Sequence, residues 1–223
     1  MLRFPDLPGS GRISTSPFVY GQVFPGTFER PETGGYSMLK AGAEFTSLDA
    51  VPTVCGATTD LTRYPARRGF EDLVLLVSDT DVPFAWTAVT FPKERFVWFA
   101  LKDPRVLRET IFWLSNGGRH YPPWSGRHIN VMGLEEVTSY FHLGLAESAH
   151  RNPLLEKGFR TCLELKAEAP VAIRYIMGIA AIPAGFDRVA EIRAMDGHAA
   201  IRLRAASGKE TGAKARVDFL REG

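Results

Sequence analysis

The sequence predicts an all-β protein, an antiparallel β-sandwich, on three observations. Apolar and polar residues alternate in short runs such as FEDLVLLVSD, RFVWFALKD and HAAIRLRAA, the pattern of antiparallel strands with one buried face. Turn residues separate those runs, with 21 glycines and 15 prolines distributed along 223 residues. Helical periodicity is weak throughout.

The elements follow in chain order. Strands are expected over 12–16, 18–24, 72–78, 84–90, 96–101, 109–114, 129–137, 159–165, 171–182, 189–195, 198–204 and 215–219. VAIRYIMGIAAIP, within the ninth run, is apolar nearly throughout, which predicts a central strand. The best helical candidate is the short stretch 145–149, followed by a turn at Asn152-Pro153, with DPRVLRE and PAGFDRVAEI as single turns. The first 36 residues are crowded with Pro and Gly and read as extended chain joining strands that are not all present. Repeats and linkers are absent, so residues 1–223 are read as one sandwich domain.

Composition removes several function classes. The 27 basic and 25 acidic residues leave a formal charge of +2 and form no basic stripe, which argues against a nucleic-acid partner. No segment approaches the roughly 18 consecutive apolar residues of a membrane span, and the N-terminus lacks a signal-peptide pattern, so a soluble cytoplasmic protein is expected. Cys55 and Cys162 are far apart and belong to no metal-ligand spacing. A His/Glu metal site would suit a β-barrel, yet the close His-x-His pair such sites carry is missing, and no metal or other cofactor is expected.

The chemistry concentrates in residues 113–140, WLSNGGRHYPPWSGRHINVMGLEEVTSY. A pyranose offers an apolar face to Trp113, Tyr121 or Trp124 and hydroxyls to Asn116, Arg119 and Arg127, with His120 and His128 lining the same loop. Period-two alternation in INVMGLEEV sends Glu135 to one face with Val131, Gly133 and Val137, and Glu136 to the other with Met132 and Leu134. Apolar neighbours would raise the Glu135 pKa toward general-base work, and Gly133 would leave room for a ligand. Read blandly, both glutamates are solvated charges at a strand end. His142, in SYFHLG, is either a proton donor or a hydrogen-bonded, half-buried histidine. In RRGFEDLV, Glu71 and Asp72 follow Arg63, Arg67 and Arg68, so that charge pairing competes with a ligand role. Trp86 and Trp98 lie on strands and are expected in the core.

Two of these segments resemble motifs of the aldose 1-epimerase, or galactose mutarotase-like, superfamily, an antiparallel β-supersandwich that binds sugars on a concave sheet face. VMGLEEV resembles the element that carries the superfamily's catalytic glutamate, which places that role on Glu135. RGFEDLV resembles an earlier acidic sugar-binding motif, which falls on Glu71, with Asp72 as the neighbouring option. The resemblance runs from about residue 17 to the C-terminus by order of elements. It implies mutarotation of a small-molecule sugar without a cofactor. It also implies part of a supersandwich, since the superfamily's acid histidine lies in an N-terminal half not matched here. Either the acid is then His120, His128 or His142, or the chain by itself is a poor catalyst. A non-catalytic carbohydrate-binding sandwich uses the same residues and is the alternative.

Overall fold

The protein is described here by a computed structural model covering residues 1–26, 36–195, 197 and 199–221. His198, the first residue of one expected strand, lies outside the described residues.

The strands are β1 (Leu2–Arg3), β2 (Gly11–Thr15), β3 (Phe18–Val23), β4 (Glu44–Phe45), β5 (Val51–Pro52), β6 (Thr58–Thr59) and β7 (Arg63–Tyr64). The longer ones follow as β8 (Phe70–Ser78), β9 (Ala85–Phe91), β10 (Phe96–Lys102), β11 (Glu109–Asn116) and β12 (Val131–Val137). After two short helices, α1 (Leu145–Ala149) and α2 (Pro153–Glu156), come β13 (Tyr175–Ala181), β14 (Val189–Ala194), β15 (Ala200–Ala205) and β16 (Glu210–Lys214). All the strand pairings in the sheets are antiparallel. A six-stranded sheet runs β1-β12-β11-β8-β3-β4, a five-stranded sheet β13-β10-β9-β2-β7, and a three-stranded sheet β14-β15-β16, with β5-β6 as a separate hairpin-like pair.

Burial orders these sheets into layers. Val74, Leu76, Phe112, Leu114 and Met132 of the six-stranded sheet meet Ile13, Val89 and Phe91 of the five-stranded sheet, forming the sandwich core. The opposite side of the five-stranded sheet, with Trp86, Val97, Phe99 and Leu101, packs on Val189, Ile192, Ile201 and Leu203 of the three-stranded sheet. The outer face of the six-stranded sheet, with Leu73, Leu75, Val77 and Ile111, is covered by Tyr140, Phe141, Leu154 and Phe159. The all-β antiparallel sandwich expected from the alternating runs is therefore the observed fold.

Three expectations fail, each for a long-range reason. Residues 159–165 form no strand. They lie in the segment covering the outer face, where Phe159 packs against the sheet. Residues 215–219 fall outside β16, and a 3-10 turn, Val217–Leu220, buries Val217 and Leu220 instead. The apolar run expected at the centre of a sheet supplies β13, an edge strand. Its Ile176 and Ala180 do pack into the core, but Met177 and Ile179, registered opposite Ala100 and Trp98, are 63% and 70% exposed. They stand on the sandwich side, past the cover of the six-stranded sheet. At 152–153, Asn152 caps α2, accepting from Leu154 N and Leu155 N, with Pro153 as its first residue.

Candidate functional site

The outer face of the six-stranded sheet gathers the chemistry-bearing residues, because register places Glu71 opposite Ser115, Leu73 opposite Trp113, and Trp113 opposite Gly133. Two residues along β12 on the same face stands Glu135, opposite Ile111. The β11–β12 loop folds back over this face. Its base is closed by Gly117 N donating to His128 O (2.9 Å) and its middle by Gly126 N donating to Arg119 O (2.7 Å). Gly118 is demanded by close approach, since a Cβ there would meet Glu71 N at 2.2 Å.

Glu71 is fully buried and its carboxylate is saturated. Oε1 accepts from Trp113 Nε1 (2.6 Å), Arg119 Nε (2.8 Å) and Arg119 Nη2 (2.7 Å), while Oε2 accepts from Ser115 Oγ (2.8 Å). Ser115 Oγ also lies 2.6 Å from His128 Nδ1. A hydroxyl has one proton, and the carboxylate, having none to give, takes it. His128 Nδ1 is then the N–H donor to Ser115, and Nε2 is the acceptor on the far side of the ring. The Arg119 guanidinium is held between two indoles, 4.7 Å from the Trp113 centroid and 4.6 Å from that of Trp124. Trp124 in turn contacts His128 (5.3 Å).

On the other flank of Trp113 is His142, whose ring centroid lies 5.2 Å away and 4.8 Å from Phe24. The chain turns at Phe141 (φ 53°), which is buried, so that the next residue emerges on the surface. Burial against these rings, and secondarily the Arg119 charge, lowers the His142 pKa. Glu135 is half-buried and its pKa is raised by desolvation, partly offset by the Met1 amino group. Its Oε1 lies 2.5 Å from where a Gly133 Cβ would be, so the space left by Gly133 is occupied by the Glu135 carboxylate itself.

Seven of the residues picked out from the sequence thus share one face: Glu71, Trp113, Arg119, Trp124, His128, Glu135 and His142. Four others are placed differently. Asp72 points to the opposite face, where Oδ1 accepts from Met38 N (2.9 Å) and Leu39 N (3.0 Å) and Arg67 lies 4.0 Å away; burial raises its pKa. Asn116 braces the loop base, donating to Ala66 O (2.7 Å) and accepting from Asn130 N (3.1 Å). His120 is exposed, edge-on to Tyr36 at 5.1 Å, and Arg127 is exposed with Nη2 3.5 Å from Pro123 O. Ser115, the link between Glu71 and His128, escaped the sequence reading, although alternation in ETIFWLSN puts it on the same face as Trp113.

Two cavities lie away from the loop. One of about 500 Å³ touches the cluster through His142 and Val137; the other, of about 610 Å³, lies between Trp86 and β14. Among the described residues, no group of three or more His, Cys, Asp or Glu side chains is placed to hold a metal ion, and no helix is long and apolar enough to cross a membrane. The chain matches no family model, no curated protein and no solved structure.

Proposed function

We propose that the outer face binds a sugar and that Glu135 is the general base of an aldose mutarotation, the chemistry of the aldose 1-epimerase superfamily that the chain resembles. The observation that carries this reading is the position of Glu135, a half-buried carboxylate of raised pKa on the same sheet face as Trp113, itself flanked by His142 and Arg119. A pyranose laid against these rings would present its C–H face to them and its anomeric hydroxyl to the carboxylate. Glu135 takes the anomeric proton, the ring oxygen receives one from an imidazole, the C1–O5 bond opens to the aldehyde, and reclosure on the other face inverts C1. His142, beside Trp113, is the imidazole at hand. The reaction needs no cofactor, and the partner is a neutral small molecule.

The test is polarimetric relaxation of freshly dissolved α-aldoses. Glu135→Gln is expected to lower the catalysed rate by roughly 10²-fold or more, with Glu136→Gln as the comparison. Equal rates for Glu135→Gln and the parent would remove Glu135 from catalysis.

A second reading, a carbohydrate-binding module without turnover, is favoured by the lowered pKa of His142, which keeps that ring neutral near pH 7 and a weak acid, and by the saturation of the Glu71 carboxylate. Titration of aldoses followed by heteronuclear NMR separates the two. Shifts centred on Trp113 and Trp124, with no acceleration of relaxation, would select binding alone.

A further inference from the structure

We propose that the 500 Å³ cavity next to His142 is a binding site for an alkyl or aryl group. Resting on the sugar reading above, this makes the ligand of the outer face a sugar bearing an apolar substituent. Continuity is the first argument. Val137 follows Glu135 by two residues on the same face of β12 and forms part of the cavity wall, and His142 borders both cavity and ring cluster. Two strand residues span about 6.7 Å, so a group attached to a ring beside Glu135 reaches the cavity directly.

The wall sets the ligand class. Val137, Phe141, Leu145 and Ile173 supply its apolar surface, and its hydroxyls are engaged inside the protein. Thr138 Oγ1 donates to Val106 O, Ser139 Oγ to Phe141 O, and Thr161 Oγ1 to Ser148 O, while Ser148 Oγ accepts from Tyr140 N. A polar ligand group would lose water and find few replacements, whereas a hydrocarbon loses nothing. Leu145 and Ile173 on the wall are 76% and 55% exposed, apolar surface that an inserted chain would cover. The volume lies in the range of small-molecule sites, well above the need of a short alkyl chain.

Cys162, a free thiol on the wall, reports occupancy, and the exposed free thiol Cys55 serves as internal control. The rate of alkylation at each cysteine is to be followed by peptide mass spectrometry with 1-hexanol, methyl β-D-glucopyranoside or hexyl β-D-glucopyranoside present. Dissociation constants of all three compounds are measured in parallel. Expected are protection of Cys162 but not Cys55 by both hexyl compounds, and tighter binding of the hexyl than of the methyl glycoside. Each fully buried methylene is worth about fourfold, so a gain of roughly tenfold or more is the readout. Leu145→Glu, at an exposed position, should abolish that gain. Absence of Cys162 protection by either hexyl compound overturns the site, as does a hexyl gain that survives Leu145→Glu. Protection by 1-hexanol, with hexyl glycoside binding no tighter than 1-hexanol, overturns the sugar reading and leaves the apolar site standing.

Discussion

Glu135 and Glu136 are sequence neighbours on β12 and occupy opposite environments. On the outer face, the Glu135 carboxylate is half-buried, lies over Gly133 and has its pKa raised by lost solvent. On the inner face, Glu136 is inside the sandwich with a side chain only 4% exposed, 2.6 Å from Lys102 Nζ. It also accepts from Thr87 Oγ1 (2.9 Å) and Thr110 Oγ1 (2.6 Å). Lys102 spends its remaining donors on Glu109 O (2.7 Å) and Thr110 Oγ1 (2.8 Å), which satisfies all three ammonium hydrogens. Burial pulls the Lys102 pKa down and the Glu136 charge opposes it. Chemistry belongs to the less satisfied of the two carboxylates. A carboxylate whose lone pairs are used up holds the fold, and one left poorly solvated and poorly bonded is poised to take a proton.

Removing one member of the inner pair should have the largest effect. Glu136→Leu strands the Lys102 ammonium in the core and is expected to cost about 3–5 kcal/mol. Glu135→Leu should cost under ~1 kcal/mol. The double variant Lys102→Met/Glu136→Leu should regain most of the loss, because a well-packed apolar pair is often neutral relative to a buried ion pair. Urea unfolding midpoints measure all three. If Glu136→Leu proves no costlier than Glu135→Leu, the inner pair is not the structural partner described here.

The opposition of the two glutamates was legible in INVMGLEEV alone, because alternation along a strand depends only on the local chain. Most of their partners were not. Arg119 reaches Glu71 across 48 residues; of the expected partners Arg67 does lie beside Asp72, at 4.0 Å, while Arg63 and Arg68 pair with Asp60 and Asp6. Lys102 was unremarked at the end of RFVWFALK, since only the stacking of two sheets brings it to Glu136. The edge position of β13 and the covering role of 159–165 were hidden for the same reason. An apolar run announces burial and leaves unstated which sheet, or which loop, does the burying.

Glu109 is a third case, a buried carboxyl with little to bond. Its Oε1 has no partner among the described residues, Oε2 accepts only from Ser139 N at 3.3 Å, and burial lifts its pKa from 4.5 to about 8 despite the charges of Lys102, Arg108 and Arg160. Between those values the unfolded chain has released this proton and the folded chain keeps it. Folding stability therefore falls as pH rises through that window, by about 1.4 kcal/mol per unit, and levels off above it. Glu109→Gln holds the neutral form at every pH. The stability of the parent relative to Glu109→Gln, measured by urea unfolding at pH 5, 6.5 and 8, should decline across the series. A constant difference would show that Glu109 is ionised in the fold.

The smallest expected effect addresses Glu135 directly. A Cβ added at Gly133 would fall 2.5 Å from Glu135 Oε1 and 3.1 Å from Trp113 Cβ. The nearer atom is the end of a flexible side chain, so the carboxylate can swing toward solvent, and Gly133→Ala should change stability by less than ~1 kcal/mol. Its consequence is electrostatic. A carboxylate moved into water loses the desolvation that raises its pKa, so the Glu135 titration should shift down toward the ordinary carboxylate range. The side-chain carboxyl carbon resonance of Glu135, followed by NMR against pH in parent and variant, reads this shift. An unchanged titration would mean that closeness to Gly133 and Trp113 does not set the basicity of Glu135. The outer glutamate would then owe its character to the wider sheet face, including the N-terminal amino group, rather than to the missing side chain beside it.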